Sequence, residues 1–158
     1  MTAREYNIFV RDYSDNAYRF AYTLIKQREH ARDIVQDVFM KLWEQRDNIN
    51  KDKIKSWIFS SVYHKAIDEL RKKKNFSAIE NIKEVVYNDY SSIKEDLNKY
   101  LDCLPAVQKS ALLLKDQEGC KYEEISEILH LSMQQVKVYI FRARKQMQQL
   151  IQQKDNII

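Results

Sequence analysis

The chain has 158 residues, 44% of them hydrophobic and 32% charged, with a single glycine and a single proline. Such a composition belongs to a folded protein of one or two small domains, and the scarcity of Gly and Pro removes any strand-and-turn rhythm, so the predicted class is all-α. No apolar run approaches the roughly 20 residues that cross a bilayer, and Arg4, Glu5 and Arg11 interrupt the N-terminus, which argues against membrane insertion and a secretory signal and predicts a cytoplasmic protein.

Net charge is +4, unevenly spread: residues 1–74 carry 16 basic and 11 acidic side chains, 75–104 carry 3 and 6, and 105–158 carry 8 and 6. Two basic lobes around an acidic middle are the footprint of a polyanion binder, although a moderate surplus is also ordinary surface chemistry. Cys103 and Cys120 are far apart in sequence and the three histidines are scattered, so no metal site, cofactor site or catalytic constellation is expected; buried or half-buried thiols are the plain reading.

In chain order, Tyr6, Phe9, Val10 and Tyr13, then Ala17, Phe20, Ala21 and Leu24, predict short helices. The cleanest amphipathic pattern follows: Ala31, Ile34, Val35, Val38, Phe39 and Leu42 bury one face and leave Asp33, Gln36, Asp37, Met40, Lys41 and Glu44 on the other. A polar loop spans Gln45 to Lys53, and a long helix runs from about Asp52 to Lys74 with Ile54, Trp57, Ile58, Val62, Ala66 and Leu70 inward. Arg71 to Lys74 close that helix, where cations are favoured by the helix dipole alone.

Between Asn75 and Ser91 periodicity degrades, predicting a linker that offers little surface to lock the two lobes. The second lobe opens at Ser92, with Glu95 at capping-box spacing and Ile93, Leu97, Tyr100, Leu101 and Leu104 on the first helix. Pro105 suits the first position of the next helix and Gly119 the position just past its end. The domains expected are therefore 1–74, a linker 75–91, and 92–158, the last a four-helix unit.

That unit ends in a helix-turn-helix, YEEISEILHLSMQQVKVYIFRAR from Tyr122 to Arg144. Ile125, Ile128 and Leu129 form the apolar stripe of its first helix while Glu123, Glu124 and Glu127 face water; Leu131 plugs the turn. Ser132 and Gln135 make a capping box that starts the second helix, with Val136, Ile140 and Ala143 inward and Gln134, Lys137, Val138, Phe141, Arg142 and Lys145 outward. Amide, cationic and aromatic groups on one helix face suit base edges and phosphates in a major groove, yet helical hairpins of this length are also common in plain bundles.

Taken together, DIVQDVFMKLW (Asp33 to Trp43), IKSWIFSSVYHKAIDELRKKK (Ile54 to Lys74), LDCLPAVQKSALLL (Leu101 to Leu114) and EGCKYEEISEILHLSMQQVKVYIFRARK (Glu118 to Lys145) resemble the extracytoplasmic-function sigma factors of bacteria over nearly the whole chain. The resemblance implies a non-catalytic subunit that joins core RNA polymerase, reads the minus-ten and minus-thirty-five elements of promoter DNA, and has an anti-sigma partner. It assigns polymerase binding to Asp33, Gln36, Asp37, Met40 and Lys41. Minus-ten reading falls to Arg46, Asn48, Lys53, Tyr63, His64, Arg71, Lys72 and Lys73, and minus-thirty-five reading to Gln134, Gln135, Lys137, Val138, Phe141, Arg142 and Lys145. A strand with a base turned out of its stack needs aromatic and cationic side chains, which the minus-ten set supplies, with Trp57 on the apolar stripe and so assigned to packing.

Three positions depart from the family pattern. His64 stands where many relatives have Asn, His130 where the hairpin turn usually has Gly, and Lys121 where a Ser or Thr cap is usual, so fraying of the first hairpin helix is expected. The alternatives are a regulator that only binds DNA and a helical adaptor or anti-sigma-type protein. The first lacks support because the N-terminal lobe shows no strand alternation and no phospho-acceptor pocket; the second leaves the basic recognition helix unexplained.

Overall fold

The computed structural model describes the backbone of residues 1–76 and 93–155 and the side chains of 1–73 and 96–153. Among them there are helices and no strands: α1 (Ala3–Ile25), α2 (Arg28–Glu44), a 3-10 turn (Lys51–Lys53), α3 (Ile54–Phe76), α4 (Ile93–Asp102), α5 (Ala106–Asp116), α6 (Tyr122–Leu129) and α7 (Met133–Asp155). The expected linker and the Ser92 capping box fall largely or wholly outside the described residues.

The two short helices expected at the start are one. Thr2 Oγ1 accepts the Glu5 amide at 3.2 Å to cap α1, and the chain leaves the helix only at Lys26, whose φ of 62° is left-handed. The spacing from Tyr13 to Ala17 continues the stripe without a break, and no Gly or Pro interrupts it. α2 buries Ala31, Ile34, Val38, Phe39 and Leu42 as expected. α3 starts two residues later than the sequence indicates, because Asn50 accepts the Asp52 amide at 3.1 Å and holds residues 51–53 in a tighter turn first. These three helices enclose Phe20, Ile34, Leu42, Ile58, Phe59 and Val62, with the Phe20 and Phe59 rings edge-on at 5.6 Å. Burying each such side chain contributes about 1.5–3 kcal/mol.

In the second lobe Leu97 is exposed rather than on the buried stripe. Pro105 sits at the N-cap of α5, one residue ahead of the expected place, with ψ of 145°. Gly119 turns the chain with φ of 66°, and a Cβ there would meet no atom within 4 Å, so backbone conformation and not space is what favours glycine. Leu114, Ile125, Ile128, Val136, Ile140 and Ala143 form the core under the hairpin.

The lobes pack on each other, α3 against α6 and α1 against α5. The surface for this comes from the helices, while the acidic linker expected to offer little surface for locking the lobes lies largely outside the described residues. Lys109 is buried, its Nζ donating to the Thr23 carbonyl at 2.8 Å and pairing with Asp102 at 3.3 Å. Asp102 also pairs with Lys26 at 3.0 Å. Thr23 belongs to the last turn of α1, whose carbonyls lack intrahelical partners and attract a cation. Lys55 Nζ donates to the Glu118 carbonyl at 3.0 Å, and the Glu118 carboxylate pairs with Arg19 at 3.1 Å.

Candidate nucleic-acid interface

α7 begins with a complete reciprocal cap: the Gln135 amide N–H donates to Ser132 Oγ at 3.1 Å and the Ser132 N–H to Gln135 Oε1 at 2.9 Å. The cap engages Gln135 Oε1, while the residue stays exposed on the same open surface as Gln134, Val138 and Arg142. Val136, Ile140 and Ala143 are buried, which turns Gln134, Lys137, Val138, Phe141, Arg142 and Lys145 to solvent. Phe141, 66% exposed, is a large apolar ring held in water by a helix whose opposite face is core. Arg144 is turned away, paired with Asp116 of α5 at 2.7 Å.

The turn ahead of α7 is formed by His130 at φ 54°, ψ 47°, the left-handed conformation in which glycine is the easier residue. α6 is half-capped: Glu124 Oε1 accepts the Lys121 amide at 3.1 Å, while the Lys121 ammonium has no acceptor to return.

On α2, Asp33, Gln36, Asp37, Met40 and Lys41 are all exposed, and Asp37 pairs with Lys65 of α3 at 3.3 Å. Met40, 61% exposed, lies on an open apolar groove with Ala3, Tyr6, Asn7, Trp43 and Glu44. The Tyr6 and Trp43 rings meet edge-on at 5.0 Å, and the Tyr6 hydroxyl donates to the Phe39 carbonyl at 2.9 Å. Tyr6 was legible only as part of the first apolar pattern and Trp43 was not singled out at all; the signal for the groove was the exposed Met40 one turn from Trp43.

The residues expected to read the minus-ten element are spread over three environments. Arg46 sits over Trp43, its guanidinium carbon 3.9 Å from the ring centre and its Nη1 donating to the Trp43 carbonyl at 2.7 Å, while Asn48 is exposed in the loop. Lys53, Tyr63 and His64 sit where α6 and α7 come down on α3. Arg71 and Lys72 are exposed at the far end of the helix, with Lys73 half-buried. His64 Nδ1 donates to the Ser60 carbonyl at 2.7 Å, and Tyr63 is buried, which pushes its hydroxyl above the usual tyrosine range. Trp57 is half-buried against the core, in keeping with packing. Cys103 is exposed and Cys120 is buried, so its thiol is pushed up to about 11 by burial against a smaller opposing pull from Lys55. Among the described residues no group of histidine, cysteine and carboxylate side chains could hold a metal ion.

The family profile of Sigma-70 region 2 matches residues 9–76, and that of Sigma-70, region 4 matches residues 94–147. RNA polymerase sigma factor SigV of Bacillus subtilis is 33% identical over 142 residues, covering 87% of this chain and 86% of the relative. The chain belongs to the extracytoplasmic-function sigma factors. SigM of the same organism, an ECF RNA polymerase sigma factor, is 30% identical, with 87% and 90% of the two chains covered. Among solved structures, the sigma factor RpoE in complex with the anti-sigma factor NepR from Bartonella quintana superposes with a TM-score of 0.81 at 25% identity, over 95% of this chain and 98% of that one. CnrH, in complex with the cytosolic domain of CnrY, shares the fold at TM-score 0.71 and 20% identity. Region 2 of this sigma factor is thus most of α1 with α2 and α3, and region 4 is α4 through the first two-thirds of α7. Among the described residues no helix is long and apolar enough to cross a membrane.

Proposed function

We propose that this sigma factor carries core RNA polymerase to promoters by dividing the work between three surfaces. The α2 face of Asp33, Gln36, Asp37, Met40 and Lys41 docks on the polymerase. Arg46, Asn48, Lys53, Tyr63, His64 and Arg71 to Lys73 hold the minus-ten strand. Gln134, Lys137, Val138, Phe141, Arg142 and Lys145 read the minus-thirty-five element in the major groove. The supporting observation is the solvent-facing set on α7, in which a cationic group can reach a base edge while Lys145 meets a phosphate. Gln135 belongs to the same exposed face, with its Oε1 engaged in the cap.

The chain itself catalyses nothing in this account; it lives in the cytoplasm and is restrained by an anti-sigma protein, as its structural relative RpoE is bound by NepR. The test is promoter opening. With core polymerase and the purified chain together, unpaired thymines near the start site become reactive to permanganate, and with either component alone they stay protected. Opening by core alone, or none by the pair on any genomic promoter fragment, contradicts the reading.

A further inference from the structure

The loop from Gln45 to Lys53, which carries the exposed Asn48, is held on both flanks by the start of α1. On its α2 side Arg46 Nη1 donates to the Trp43 carbonyl at 2.7 Å with the guanidinium over the Trp43 ring, and that ring meets the Tyr6 ring of α1 edge-on at 5.0 Å. On its α3 side Lys51 Nζ lies 2.7 Å from Glu5 Oε2 of α1, while Asn50 steadies the turn by accepting the Asp52 amide at 3.1 Å. Between the two flanks Ile49 is half-buried against the core. Glu5 and Tyr6 are adjacent on a helix that carries none of the docking or promoter-reading residues, yet together they reach both sides of Asn48.

A carboxylate in a first helical turn is favoured by the helix dipole alone, but Glu5 does more than that. Its amide is fixed by Thr2 Oγ1, its Oε2 is closed off from water, and the Lys51 ammonium bonded to it holds the carboxyl below the usual range. A loop left free would be ordered only when the strand arrives, at a cost in affinity and with room for more than one base; a loop fixed beforehand presents Asn48 in one place. We propose that the first turn of α1 braces the minus-ten loop for base selection, Glu5 acting as a positioning residue through Lys51 and Tyr6 through Trp43 and Arg46. This rests on the minus-ten assignment above. Neither Glu5 nor Tyr6 touches the strand; both act on Asn48 through the flanks of its loop.

The test uses the full-length chain with core polymerase on two promoter sets, one varying each minus-ten base over a fixed minus-thirty-five element and one the reverse, and reads the ratio of transcripts from preferred and other bases. For Glu5→Lys, which sets two cations against each other, the minus-ten ratio is expected to fall roughly two- to fivefold, the scale of one exposed ion pair. The minus-thirty-five ratio, core affinity and helical circular dichroism stay unchanged. Adding Lys51→Glu re-forms the pair with its charges exchanged and restores the ratio. A charge that acts only on phosphates alters all promoters alike and cancels in the ratio. An unchanged minus-ten ratio in Glu5→Lys, an equal fall at both elements, or a double variant as indiscriminate as the single one overturns the brace. Should Glu5→Lys melt early, Lys51→Ala, which truncates an exposed side chain, is measured instead: a fall in the minus-ten ratio alone supports the brace and no fall overturns it. Asn48→Ala separates this from the assignment beneath it. If that variant keeps the wild-type base preference, the minus-ten assignment falls and the brace with it; if it loses the preference while Glu5→Lys keeps it, the brace alone falls.

Discussion

Lys53 and Glu127, 74 positions apart in the chain, are joined by hydrogen bonds of 2.8 and 3.1 Å that tie the entrance of α3 to the first helix of the hairpin. The Glu127 carboxylate holds the Lys53 ammonium above the usual lysine range. A lysine raised in the folded state contributes stability below its unfolded value and loses it as pH rises through the folded one, so this pair is intact at neutral pH. Salt is the stronger lever, since the screening length falls from about 10 Å at 0.1 M to about 3 Å at 1 M. Zero-length carbodiimide coupling should link the Lys53 and Glu127 peptides at low salt, and mass spectrometry should find less of that product as salt rises. Absence of the product at any salt would contradict the pairing.

The α2 face offers a second test. Asp33→Lys with Asp37→Lys should weaken core polymerase binding tenfold or more, each reversal being worth roughly 1 kcal/mol at a docked, partly desolvated surface. The loss of the Asp37 pair with Lys65 is minor because the Asp37 carboxylate is more than half exposed, so helical content should be unchanged. Unaltered affinity for core enzyme would move docking elsewhere, with the Tyr6, Met40 and Trp43 groove the next surface to test.

On α7 two cations should behave differently. Arg142→Ala should cost about 1–3 kcal/mol on the matched promoter and relax selectivity at one minus-thirty-five position, as loss of a base-edge contact does. Lys145→Ala should weaken all promoters alike and flatten the dependence of binding on salt. Binding of matched and mutated fragments over a salt series separates the two roles; identical behaviour of both variants would mean that neither reads a base.

The thiols are a check on the packing. Cys103 is exposed and should be alkylated by iodoacetamide within minutes at pH 8, whereas Cys120 is 1% exposed, raised to about 11, and should resist until the protein unfolds or the pH approaches that value. Peptide mapping showing both residues alkylated at similar rates at pH 8 would contradict the burial of Cys120 beneath Lys55.

What the sequence displayed was local. The stripe from Ala31 to Leu42, the Ser132–Gln135 cap and the left-handed turn at His130 follow from spacing and backbone preference, and each stands in the structure where those rules put it. Joining Tyr13 to Ala17 in one helix was equally available, and was hidden by the polar run Asp12, Ser14, Asp15, Asn16 at the solvent face. The lobe contact was not available in the same way, because it is made by lysines reaching carbonyl oxygens and by pairs far apart in the chain, which leave no period. Its one trace was the unbroken apolar run from Ala111 to Leu114, which the structure extends to a buried stretch from Lys109 to Leu114. A helix covered on every side over six residues has more than one neighbour to pack against, and α1 is the further one. Tyr63, expected to face DNA, is likewise buried.

Run-off transcription with purified core polymerase and the wild-type chain on fragmented genomic DNA addresses the whole account at once. The account predicts discrete transcripts that need both components, whose starts share a pair of upstream elements and weaken selectively with Arg142→Ala. Transcripts that are the same with and without the chain would contradict it.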